Sequence, residues 1–291
     1  MYTQIDSNKR RTALLIGFFL ILVIGLGWIL ARVYGNPAIL VFAVIFSLVQ
    51  ALVSYYYSDS ITLAVSGARE APRREPFLEL HRLVENLAIT AGLPKPRLYV
   101  INDSAPNAFA TGRDPKHAVV AVTTGLLDKL NKRQLEGVIA HEMSHVGNYD
   151  IRLMTVVVVL VGIVALASDW FMRSLWFRGH DNDNRQGNGI LLLIGIAAAI
   201  LAPLFATLIQ LAISRRREYL ADASGVLLTR YPEGLAEALE IISRDKEPLE
   251  AANRATAHLY IANPLKGRDV AVWFSTHPPV QDRIKRLRAM I

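Results

Sequence analysis

The chain has 291 residues, 52% of them apolar and 8% aromatic, with a formal net charge of +7. That apolar share is high for a soluble protein, and the length accommodates one soluble domain of ordinary size plus several membrane spans. There is no cysteine, which excludes a disulfide framework, a thiol nucleophile and thiolate metal ligands. Any zinc site must then use His, Asp and Glu, a ligand set that favours catalytic over structural zinc.

The chain opens with a polar stretch, Met1 to Arg11, ending Lys9-Arg10-Arg11. From Ala13 to Ala31, 19 residues carry no charge, about the hydrocarbon thickness of a bilayer. A cleaved signal peptide would have a shorter apolar region and no second span close behind. A second span does follow: Pro37 to Ser58 is uncharged for 22 residues, after the link Arg32-Val33-Tyr34-Gly35-Asn36. Tyr55, Tyr56 and Tyr57 fall where an interfacial aromatic belt lies. Basic charge is therefore read as membrane-flanking, not as a nucleic-acid surface. No nucleic acid or nucleotide partner is expected.

Ser58 to Pro76 reads as a juxtamembrane linker. Leu80, Leu83, Val84 and Leu87 then recur at helical spacing until Gly92 and Pro94. Short strands are expected at Arg97–Ile101, at Asn107–Gly112 and from His117 to Thr123. An exposed edge of such a sheet can pair with an extended peptide through main-chain hydrogen bonds.

Val138-Ile139-Ala140-His141-Glu142-Met143-Ser144-His145-Val146 is H-E-x-x-H inside an apolar-periodic helix. His141 and His145 project from one face, one turn apart, and can share a zinc ion, while Glu142 can act as general base on a water. Asn131 and Gln134 form a capping-box pattern at its start. The chain beyond, Asn148 to Arg152, leads into a third apolar run from Leu153 to about Met172, so the motif helix and that run are expected to be nearly continuous. A fourth run, Ile190 to Ser214, is uncharged for 25 residues. The loop between them is polar. Lys9-Arg10-Arg11 before the first span and Arg215-Arg216-Arg217 after the fourth place both termini, and the motif, in the cytoplasm by the positive-inside rule.

A catalytic zinc needs a third ligand. Asn148 and Ile151 depart from the longer metzincin pattern. His180 lies in the loop on the wrong side. Glu233, Glu237 and Glu240 fit the solvated face of a helix over Pro232 to Ser243. Glu218 stands at the cytosolic end of the fourth run, opposite the motif if the two runs pair as a hairpin. Asp222, one turn on, can orient a ligand histidine.

Together these residues resemble the HtpX family of membrane zinc endopeptidases, relatives of the CAAX prenyl protease and the mitochondrial stress protease. The resemblance covers almost the whole chain. It rests on Ser66-Gly67-Ala68-Arg69, Asn107-Ala108-Phe109-Ala110-Thr111-Gly112, His141-Glu142-Met143-Ser144-His145-Val146 with Asn148 and Asp150, Glu218-Tyr219-Leu220-Ala221-Asp222, and Ser275-Thr276-His277-Pro278-Pro279 with Arg283. It implies an ATP-independent, heat-shock-linked endopeptidase of the bacterial inner membrane, acting on damaged or misassembled membrane proteins, with one zinc per chain. It also implies that Asn107, with Ala108 and Phe109, contacts substrate, and that His277 or Arg283 stabilises the oxyanion. By residue chemistry alone, His277 is equally the boundary of the last helix, and Arg283 one more base upon it.

The expected architecture is a mainly α integral membrane protein with four spans and an α+β, gluzincin-type cytosolic domain holding a small sheet. The membrane hairpins are 1–58 and 153–214, and the cytosolic domain is assembled from 59–152 and 215–291. Two other readings make different demands. A zinc-stabilised scaffold or transporter would make Glu142 dispensable. An intramembrane protease would bury the motif in an apolar span, whereas Lys129, Lys132, Arg133 and Glu136 closely precede it.

Overall fold

The computed structural model describes residues 2–162, 215–252, 256–264 and 278–290. The fourth apolar run, the second half of the third, the loop between them and His277 lie outside the described residues.

Among the described residues, two helices are long and apolar enough to cross a membrane: α1 (Tyr2–Tyr34), with its apolar stretch between Gln4 and Arg32, and α2 (Ala38–Tyr56). They pack as a hairpin and expose Leu14, Phe18, Ile21 and Trp28 on α1, and Val41, Phe42, Ile45 and Leu52 on α2. The buried face of α2 is the more polar one, Ala43, Ser47, Gln50 and Ser54, with Gln50 donating to Ser54. Apolar outside and polar inside is the arrangement a lipid solvent favours. The first eleven residues are not a loose polar tail. The helix starts at Tyr2, so two to three turns of α1 precede the apolar run.

The expected linker also has structure. Ser58–Val65 is α3 and Arg69–Glu70 is a two-residue strand, β1, formed because it pairs antiparallel with Val100 and Tyr99. Helix α4 (Leu78–Ala91) ends at Gly92, whose φ of +65° is the left-handed closing conformation that glycine tolerates best. Strands β2 (Arg97–Ile101), β3 (Ala108–Thr111) and β4 (Val119–Thr123) complete a mixed sheet in the order β1-β2-β4-β3. Strand β2 pairs parallel with β4, and β3 antiparallel. Every residue of β4 is buried because both sheet faces are covered. Val120 and Val122 join the main core with α4 and the motif helix, while Val119 and Ala121 meet Phe109, Met154 and Tyr260.

After α5 (Thr124–Lys129) comes the motif helix α6 (Lys132–Gly147). Its capping box forms as its residues predict: Gln134 N–H donates to Asn131 Oδ1 and Asn131 N–H to Gln134 Oε1. Such a cap contributes about 1 kcal/mol. The next helix, α7 (Asp150–Gly162), is not continuous with it. The two are bent by 84° at Asn148-Tyr149, where Tyr149 takes φ +60°. Leu153, Val156, Val157 and Leu160 of α7 pack on Leu15 and Phe19 of α1. The chain resumes as α8 (Arg215–Thr229), α9 (Pro232–Arg244) and α10 (Val280–Arg288). Glu233 and Glu240 of α9 pair with Arg288 of α10, and Glu237 accepts from Gln134, so these acids fasten helices together.

Candidate metal centre

Helix α6 presents His141 and His145 one turn apart, their rings edge to face at 4.7 Å between centroids. Helix α8 crosses it. Glu218, Asp222 and Gly225 recur at i, i+4 and i+7, so one face of α8 carries a carboxylate, a second carboxylate and a place of close approach. A Cβ on Gly225 would lie 3.0 Å from His141 N, so glycine is what lets the two helices come this near.

Glu218 Oε2 lies 3.7 Å from His141 Nε2, and Oε1 lies 3.6 Å from His145 Nε2. The two Nε2 atoms are 3.2 Å apart. Ligand atoms around a tetrahedral zinc at about 2.05 Å stand about 3.3 Å from each other. Among the described residues, this trio is the one group of His and acidic side chains arranged to hold a metal ion. The outer nitrogens sharpen the case. His141 Nδ1 lies 2.9 Å from Asp222 Oδ1, and His145 Nδ1 lies 3.0 Å from Asp150 Oδ2. Each Nδ1–H therefore donates to a carboxylate, which leaves lone pairs on both Nε2 atoms. Two lone pairs facing each other at 3.2 Å, beside a carboxylate, make an arrangement compatible with a bound metal ion.

The charge of the pocket points the same way. Among the described residues, the buried carboxylates Glu142, Asp150, Glu218 and Asp222 outnumber the buried guanidiniums Arg217 and Arg283, a balance that suits a cation. Without one, a proton answers in part: burial opposes the charge of His145, but Asp150, Glu218 and Glu142 outweigh it and push its pKa up to about 9. Glu142 is raised above the ordinary range chiefly by burial, against the pull of His141, His145 and Arg283. Burial would raise Asp222 too, but Arg283 and His141 hold it well below the usual carboxylate range.

Asp222, read from the sequence as an orienting carboxylate, lies against His141. Asp150 makes the same contact with His145, a role that its place in the motif does not reveal. Its partner is five residues back, reached because the chain turns sharply at Tyr149. Arg283, for which the resemblance implies an oxyanion role, is fully buried; its Nε and Nη2 donate to Asp222 at 2.9 and 2.6 Å, and Nη1 to Ile261 O at 2.8 Å. Nη1 also stands 3.7 Å from Glu218 Oε2. Asn107, Ala108 and Phe109 are also turned inward. Asn107 Nδ2 donates to Ala262 O, Ala108 O accepts from Ile261 N–H, and Phe109 stacks edge to face on Tyr260. These three residues seat the segment 256–264, which meets the β3 edge at Ala108.

Comparison with known proteins agrees with this geometry. Residues 74–291 match peptidase family M48. The chain belongs to that family. The M48 chain is 48% identical to the protease HtpX homolog of Dictyoglomus thermophilum over 99% of its own length and 94% of the relative's. It is 46% identical to that of Caldanaerobacter subterraneus subsp. tengcongensis, covering 100% and 98%, and 47% identical to that of Pyrococcus furiosus, covering 96% and 94%. In fold it is similar to the crystal structure of S. mikatae Ste24p, with a TM-score of 0.51 at 18% identity. That match covers 95% of this chain and 65% of the other. With a family-wide match, two membrane-length helices and a His-His-Glu cluster, this M48 chain is a membrane-associated metalloprotease acting on peptides or proteins.

Proposed function

We propose that the chain is a zinc endopeptidase of the bacterial inner membrane, hydrolysing peptide bonds at the cytosolic surface and serving quality control of misfolded or damaged membrane proteins. The convergence of His141, His145 and Glu218 around one point, with Glu142 buried beside it, carries the reading. His141, His145 and Glu218 would hold the zinc; Asp222 and Asp150 fix the two imidazole tautomers, and Arg283 holds Asp222 in place. Bound zinc would polarise a water and the scissile carbonyl, lowering the water's pKa toward ~7. Glu142 takes the proton of the attacking water and delivers it to the leaving amine; its raised pKa suits both steps.

The reading includes four spans, with both termini and the site in the cytosol. Basic clusters at Lys9-Arg10-Arg11 and Arg215-Arg216-Arg217 support it. So does the hydrogen bond from Asn8, near the polar start of α1, to Asp150. Lys9 lies over the Tyr149 ring and Arg152 over Tyr149 and Tyr55, a cation–aromatic girdle suited to an interface.

The deciding experiment purifies wild type and Glu142→Gln with chelator present, restores zinc, and measures metal content and casein cleavage. Glu142→Gln should keep about one zinc per chain and lose at least about 100-fold in rate. Casein cleavage by that variant at the wild-type rate would overturn the assignment.

A further inference from the structure

The N-terminal turns of α1 reach into the metal site. Asn8 is almost completely buried. Its Nδ2 donates to Asp150 Oδ1 at 2.7 Å and to Asn148 O at 2.9 Å. Asp150 turns its other oxygen, Oδ2, to His145 Nδ1 at 3.0 Å. One carboxylate is thus gripped at one oxygen by the membrane helix and grips a ligand histidine with the other. We propose that Asn8 is a positioning residue for the metal centre, acting through Asp150 on His145. The inference rests on the metal-site reading above.

Chemistry favours an amide at this position. Asp150 needs a donor on Oδ1 to fix its rotamer, and a neutral donor supplies it without discharging the carboxylate that must accept from His145. Arg217 Nε stands 3.5 Å from the same Oδ1, a longer contact than the Asn8 bond. The second bond of Asn8, to Asn148 O, fastens the turn between α6 and α7 that delivers Asp150 to His145. Both bonds leave from a helix that is otherwise a membrane anchor, so the anchor's polar end becomes part of the ligand scaffold.

The test uses the full chain in detergent. Zinc affinity is measured by competition with a chromogenic chelator for wild type, Asn8→Asp, Asn8→Ala, Asp150→Asn and the double variant Asn8→Ala/Asp150→Asn. Asp6→Asn, an exposed change on the same helix, is the control. Asn8→Asp keeps size and shape but removes the donor; Asn8→Ala serves if the added charge prevents folding. Either should weaken zinc binding by about tenfold, the lower end of what outer ligand partners contribute. Because Asn8 acts through Asp150, the double variant should bind no more weakly than Asp150→Asn alone. Zinc affinity within twofold of wild type in both Asn8 variants, even with a lowered melting temperature, would make Asn8 merely structural and overturn the inference. Additive losses in the double variant would overturn it equally. A wild-type chain that takes up no zinc would instead overturn the site reading beneath it.

Discussion

Arg283 is the most constrained charge in the described chain. It is fully buried, forked onto Asp222 and 3.7 Å from Glu218. Burial opposes its charge, but the surrounding Asp222, Glu218 and Glu142 raise its pKa above the ordinary value, so it stays cationic. Removing one member of such a pair leaves the other charge buried alone. Arg283→Met, close in volume, should therefore lower stability by about 3–5 kcal/mol in denaturant titration. Arg283→Lys should recover only part, since an ammonium cannot reproduce the two-pronged contact. Glu218→Ala should act differently, weakening zinc uptake with a smaller effect on the metal-free fold. Parallel metal titration and melting curves separate the two. The His141–His145 pair could be read from helical spacing, and Glu218 from its place at the end of the fourth apolar run, with Asp222 one turn on. Asp150 and Asn8 could not. Asp150 depends on a positive φ at a tyrosine, and Asn8 pairs with it across 142 positions, a separation that no local pattern encodes.

At the scale of elements, the site is a crossing of α6 and α8 at His141 and Gly225. Alanine at 225 would favour the helix by up to about 1 kcal/mol over glycine. Against that, its Cβ would press within 3.0–3.2 Å of His141 N, Ala140 C and His141 Cα, backbone atoms that cannot step aside. Gly225→Ala should hence leave melting temperature little changed while shifting α8 by a few tenths of an ångström and weakening metal binding. Gly225→Val should damage both. Chelator titration with thermal melting measures the two effects together. Helices α4 and α9, the capping box of α6 and the three main strands follow from periodicity and turn residues. Strand β1 did not, because two residues become a strand only through pairing with β2. The 84° break before α7 was hidden for a similar reason: Gly147-Asn148-Tyr149 carries no proline, and the direction of α7 is held by distant contacts, its packing on α1 and the Asn8 bond to Asn148 O among them.

At the scale of the whole molecule, a membrane hairpin and a catalytic domain are joined by buried contacts, and not by a loose tether. The absence of cysteine makes the proposed orientation simple to probe. Gln4→Cys and Asn36→Cys, both exposed positions at opposite ends of α1, should react with a membrane-impermeant maleimide from opposite sides of inverted and intact vesicles. Labelling of both from one side would refute the hairpin as a membrane span.

The unbroken length of α1 also works as a ruler. Asn8 touches the site, and the apolar run begins at Ala13, five residues on, or about 8 Å along the helix axis. In an extended substrate two or three residues cover that distance at about 3.3 Å each. A bond cut by this protein should thus lie within the first few residues beyond the hydrocarbon edge, at headgroup depth. On the proposed reading of membrane-protein clients, selection would depend on how far a client has slipped or frayed out of the bilayer, more than on the side chains at the cut.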